Sequence, residues 1–96
     1  MPTIIDLEKI IKELLVRYHA ESALLFGSYA RKEATPESDI DLVVFGGDNF
    51  IKADIFSLAE DLRQITQKNA DVFEICELNP NTPFYEAVMR EGIKIA

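Results

Sequence analysis

The sequence holds one cysteine, one histidine, no tryptophan and only ten basic residues in 96. A single cysteine excludes an internal disulfide and suits a reducing, cytoplasmic setting; Cys76, between Ile75 and Glu77, reads as a small apolar filler. A single histidine excludes metal or acid–base clusters built on a second imidazole. His19 falls near the end of a helical pattern, where a surface imidazolium is favourably placed at the C-terminus. No apolar stretch approaches the ~20 residues of a membrane span. Met1 to Asp6 lacks a basic region followed by an apolar one, so no signal peptide is expected. Repeats and low-complexity tracts are absent. The shortage of positive charge is the most restrictive. With ten Lys and Arg against seventeen Asp and Glu the net charge is −7. Such a chain repels phosphates and gains little from counterion release, which excludes a free-standing nucleic-acid binder. A basic partner protein, or a nucleotide carried in with a metal, fits the charge better.

What remains is the composition of a folded, soluble protein, 48% hydrophobic and 28% charged, expected to form one domain over residues 1–96. Apolar residues at Ile4, Leu7, Ile11, Leu14, Leu15 and Tyr18 predict a helix over 4–20, with Thr3 and Asp6 as its capping pair. Ser22–Phe26 reads as a strand ending at Gly27, Ser28–Ala34 as a short helix, and Thr35-Pro36-Glu37-Ser38 as a break. Ile40–Phe45, apolar on both faces beyond its start, reads as the central strand. Ile51, Ile55, Leu58, Leu62 and Ile65 predict a second long helix. Asp71–Cys76 reads as a third strand. Pro83 opens a helix that Gly92 ends, and 93–96 forms a short edge strand. The fold expected is α/β: a small sheet of three to four strands flanked by helices. The sheet is as readily mixed as parallel, because the link from Gly27 to Ile40 is short for a parallel crossover.

The chemistry concentrates in Gly27-Ser28-Tyr29-Ala30-Arg31 and in Ser38-Asp39-Ile40-Asp41. Side chains at i and i+2 of a strand share a face, so Asp39 and Asp41 aim two negative charges at one place, which a cation between them relieves. Val43 and Phe45 continue the same face, so the pair is not part of a solvated strand surface. The plainer alternative is that Asp39 caps a turn and Asp41 pairs with Arg31. Gly27 lets backbone approach a ligand closely, and Ser28 adds a hydroxyl and nearby N–H groups for a phosphate. Arg31 lies one helical turn beyond Ser28. Asp71, opening the third strand, joins the pair if that strand neighbours the second; otherwise it is an exposed turn residue. Glu74 falls on the opposite face and Glu77 at the far end. Tyr18, Tyr29 and Tyr85 read as packing residues with polar tips.

The composite run Gly27-Ser28-x-Ala30-Arg31-x6-Ser38-Asp39-x-Asp41 resembles the minimal nucleotidyltransferase (MNT) family of the DNA polymerase β-like superfamily. The likeness covers essentially the whole chain, down to Glu91-Gly92-Ile93-Lys94. It implies the polymerase β-like fold and a Mg²⁺-dependent transfer from ATP. Gly27, Ser28 and Arg31 would hold the nucleotide. Asp39, Asp41 and Asp71 would be the catalytic, metal-binding carboxylates, and Asp71 would also take the acceptor's proton. Short members resemble the antitoxins of HEPN–MNT toxin–antitoxin pairs, which implies a HEPN-domain ribonuclease toxin as partner, AMP transfer to a toxin tyrosine, and a homo- or hetero-oligomeric assembly. Neutralisation by binding alone and transfer to a small molecule are the alternatives. The sequence departs from the family at Lys32, where glycine often follows the arginine.

Overall fold

A computed structural model describes residues 3–95. Helix α1 (Ile4–Tyr18) begins with a reciprocal capping box. The Asp6 amide donates to Thr3 Oγ1 and the Thr3 amide to Asp6 Oδ2, both at 3.1 Å, which satisfies two of the orphan donors of the first turn. Strand β1 (Ser22–Phe26) pairs antiparallel with β2 (Ile40–Phe45). Helix α2 (Asp54–Thr66) then carries the chain back to β3 (Ala70–Glu74), which lies parallel to β2. After a 3₁₀ turn at Ile75–Glu77, α3 (Pro83–Glu91) leads into β4 (Ile93–Lys94), antiparallel to β1. The four-stranded sheet has the order β3-β2-β1-β4 and is mixed, with β2 inside it as expected.

Period-two alternation divides the sheet residues between two cores. Ala23, Leu25, Ile40, Leu42, Val44 and Ala70 point to the face covered by α1 and α2 and pack on Leu7, Ile11, Leu14, Leu58 and Leu62. Phe26, Val43, Phe45 and Phe73 point to the other face, covered by α3 through Val88. There Phe84 meets Phe26 and Phe73 edge-on, at 5.6 and 5.9 Å between centroids. The two long helices are further joined by Asp61, which accepts from Arg17 and from the Tyr18 hydroxyl.

Five expectations are corrected. Residues 28–34 form no helix, only hydrogen-bonded turns up to Lys32. α2 starts at Asp54, not Ile51, because Phe50 takes the core position on leaving the sheet and Ile51 is left 66% exposed. β3 stops at Glu74, whose carboxylate accepts from the Cys76 amide at 2.7 Å and turns the chain into the 3₁₀ segment. Cys76 is therefore exposed, not a buried filler. α1 ends at Tyr18, with His19 exposed just beyond it. The expected edge strand is confirmed for Ile93–Lys94, and Ala96 lies outside the described residues.

Candidate active site

The antiparallel register puts Phe26 opposite Asp41, and the parallel register puts Asp41 beside Asp71. Both aspartates have the parity of Val43 and Phe73, so they emerge on the α3 face at one end of the sheet. Asp39 precedes β2 by one residue and is exposed, as is Asp71, while Asp41 is half-buried. The carboxyl of Asp41 is pushed above the ordinary carboxylate range, first by burial and then by the charges of Asp71 and Asp39; Arg31 pulls it weakly the other way. The three side chains thus share one electrostatic neighbourhood.

Among the described residues none of the three aspartates forms an ion pair; Arg31 instead meets Glu33 at 3.3 Å and Glu91 at 3.8 Å. The expected alternative, an Asp41–Arg31 pair, is not what the chain forms. Nor are any three His, Cys, Asp or Glu side chains among the described residues already gathered into a metal cage. Uncompensated carboxylates repel one another, so such a set closes only around added positive charge.

The turn after β1 is shaped around Asp41. Gly27 has φ +71°, and a Cβ built there would overlap the Asp41 carboxylate. Only glycine allows both the left-handed backbone and the close approach. Beyond it the Arg31 amide donates to Gly27 O at 3.1 Å, Lys32 to Tyr29 O at 3.3 Å and Glu33 to Ser28 O at 2.8 Å. The last two bonds are the 5→2 and 6→1 pair of a Schellman motif, with Lys32 at φ +61° in the left-handed position. Among the described residues the amides of Ser28, Tyr29 and Ala30 donate to no protein acceptor. Three successive N–H groups without a protein acceptor, in the turn that Asp41 approaches at Gly27, are available donors for anionic oxygens.

Tyr29 anchors this turn. It is 2% exposed, packs in the core under α1 and α2, and keeps a hydroxyl with no protein partner. On the Asp39 flank an open, polar cleft of about 430 Å³ is lined by Pro36, Ser38, Arg63, Gln67, Lys68 and others. Lys68 carries no signal in the sequence beyond marking a polar break, yet it reaches back to the Pro36 carbonyl at 2.9 Å.

Known proteins resemble this chain in sequence and in fold. The family described as "Polymerase beta, Nucleotidyltransferase" matches residues 8–96. A Methanocaldococcus jannaschii protein named as a candidate protein adenylyltransferase is 31% identical over 99 residues, covering 97% of each chain. Among solved structures, a toxin–antitoxin complex with AMP-PNP superposes with a TM-score of 0.79 at 23% identity, over 93% of this chain and 72% of the other. A complex of a tri-AMPylated Shewanella oneidensis HEPN toxin with its MNT antitoxin gives 0.70 at 22%, over 93% and 68%. At these identities the structural likeness speaks for the fold.

Proposed function

The chain belongs to the polymerase beta nucleotidyltransferase family, and from that membership we propose that it is the antitoxin of a HEPN–MNT pair, transferring AMP from ATP to a tyrosine of a HEPN ribonuclease toxin. The observation that carries this reading is the in-register placement of Asp41 beside Asp71, with Asp39 two residues before Asp41, against a turn of free amides. The names of the relatives support the reaction class, and the toxin complexes among the structural neighbours support the kind of partner.

The donor set fits magnesium: carboxylate oxygens are the hard ligands this ion takes, and among the described residues none of the three forms an ion pair. Asp39, Asp41 and Asp71 would hold it. When bound, Mg²⁺ supplies charge neutralisation at the phosphates and favours the ionised acceptor hydroxyl. The chain's own groups do the rest. The amides of Ser28, Tyr29 and Ala30, with the Ser28 hydroxyl, hold the β- and γ-phosphates, which aligns the α-phosphorus with the carboxylates. Arg31 reaches the same phosphates by leaving Glu33 and Glu91, exposed pairs that cost little to break. The tyrosine oxygen bonds to the α-phosphorus, its proton passes to an Asp71 carboxylate oxygen, and the bond to the bridging oxygen breaks to release pyrophosphate.

The test is the intact mass of the partner co-expressed with this chain and incubated with ATP and Mg²⁺. A gain of one or more AMP units on the partner, lost with Asp41→Asn, is the expected result. A stable complex whose partner never gains mass would sink the catalytic reading. That outcome would favour neutralisation by occlusion, for which the net charge of −7 offers a basic ribonuclease a complementary surface.

A further inference from the structure

Asp39 is delivered by a segment with very little holding it. Residues 33–39 belong to no helix or strand. Within the segment, Ser38 closes a local turn: its hydroxyl accepts from the Thr35 amide at 2.8 Å and its amide donates to Thr35 O at 3.0 Å. Among the described residues, Ala34–Asp39 receives one hydrogen bond from outside itself, from Lys68 Nζ to Pro36 O at 2.9 Å. Its other tie to the body of the protein is the Ala34 methyl against the core.

Lys68 is well placed to act as a tether. It sits in the short link between α2 and β3, two residues before Ala70. The neighbouring Asn69 carbonyl accepts from the Ile40 amide at 3.0 Å, which locks that link to the start of β2. The ammonium also stands 5.8 Å from the centre of the Tyr29 ring, within cation–π range. One side chain therefore touches the turn that carries Ser28 and the loop that carries Asp39, from a link that continues directly into Asp71. These are the three segments from which the site is built.

We propose that Lys68 is a positioning residue, whose bond to Pro36 and stacking on Tyr29 hold Asp39 in register with Asp41 and Asp71. This rests on the nucleotidyltransferase reading above for its consequence, but not for its geometry. A lysine suits the task because its ammonium offers three donors on a flexible stem, enough to bind a carbonyl while resting on an aromatic face.

The experiment compares wild type with Lys68→Met, which keeps the apolar stem, and Lys68→Arg, which keeps the charge and the donors. Hydrogen exchange of a peptide spanning residues 33–40 reads the tether directly, and Mn²⁺ binding followed by electron paramagnetic resonance reads its effect on the carboxylates. Lys68→Met should speed exchange in that peptide and weaken Mn²⁺ binding about tenfold, as losing an outer-shell support does elsewhere. Its melting temperature should stay close to wild type, and Lys68→Arg should recover most of the binding. In transfer assays the Mg²⁺ concentration for half-maximal rate should rise, while the KM for ATP at saturating Mg²⁺ stays within about twofold. Unchanged exchange at 33–40 would overturn the proposal. So would Mn²⁺ affinity lost only in step with global stability, or a KM effect alone, which would mark a direct contact with nucleotide. If wild type itself transfers no AMP, the functional reading fails while the exchange and Mn²⁺ results still decide the tether.

Discussion

Burial and two neighbouring carboxylates disfavour the charged form of Asp41. Its pKa in the folded state lies above the ordinary value of 3.8, so ionisation opposes folding. The penalty is absent below the unfolded pKa and grows as pH rises through the raised folded one. Asp41→Asn should therefore stabilise the metal-free protein at neutral pH, by about 0.2–1 kcal/mol for relief of a like-charged cross-strand pair. It should also flatten the dependence on acid pH. Added Mg²⁺ should raise the unfolding midpoint of wild type and not of the variant. Urea melts across pH, with and without Mg²⁺, check all three. Tyr29 offers an opposite kind of test. Tyr29→Phe removes a buried hydroxyl that has no protein partner, so denaturant melts should show stability unchanged or raised by up to about 1 kcal/mol. The ring that supports Lys68 stays in place. At this scale the sequence was legible where chemistry follows parity. Asp39 and Asp41 could be grouped because alternation fixes which way strand residues point, and Asp71 joined them only on the condition that its strand lie beside the second, as it does. The approach of Asp41 to Gly27, the diversion of Arg31 to Glu91 and the reach of Lys68 to Pro36 were not legible, since each joins positions whose spacing depends on tertiary placement.

Four glycines are too few for the left-handed positions this fold uses, and the elements show it. α1 ends with His19 at φ +61°, α2 with Gln67 at φ +59°, and the turn after β1 closes with Lys32 at φ +61°. A residue with a Cβ pays roughly 1–2 kcal/mol for that conformation. Lys32→Gly should thus stabilise the protein by about 0.5–1 kcal/mol net, once glycine's greater freedom in the unfolded chain is subtracted. Denaturant midpoints measure it, and a loss of stability would show that the Lys32 side chain makes a contact worth more than the strain. A glycine at this point would meet the Schellman geometry without that strain. Element type was readable from local pattern at the Thr3–Asp6 capping box, in the 3-and-4 spacing of Ile55, Leu58 and Leu62 and at the Pro83 start of α3, but not at residues 28–34, where turns stand in place of the expected helix. Boundaries were not, because tertiary packing set them. Phe50 displaced Ile51 from the core, and Glu74 bent the end of β3 through a bond to a backbone amide that no periodicity reports.

The molecule as a whole is built unevenly about its sheet. One face is sealed by α1 and α2 over a large apolar core, and the other carries the aspartates beneath a thinner cover of α3, Ile75 and Leu78. Within α3 a single residue, Val88, is fully buried, Phe84 is 45% exposed, and the helix leads into a two-residue strand. Segments with so little buried apolar contact open below the global free energy. Amides of α3 and β4 should therefore exchange faster than those of α1, β1 and β2, through a partial opening. Val88→Ala, which removes two buried methyl-sized groups worth about 1–2 kcal/mol, should speed exchange in α3 several-fold while leaving the β2 amides close to wild type. Equal protection of α3 and β2 would instead mean that the two faces unfold as one unit. The opening also bears on the site, because Glu91 at the end of α3 holds Arg31 at 3.8 Å. Each opening of α3 releases the guanidinium from Glu91 alone, an exposed pair that costs little to break, and the Arg31 and Lys32 amides bond within their own turn, so Val88→Ala should leave their exchange close to wild type.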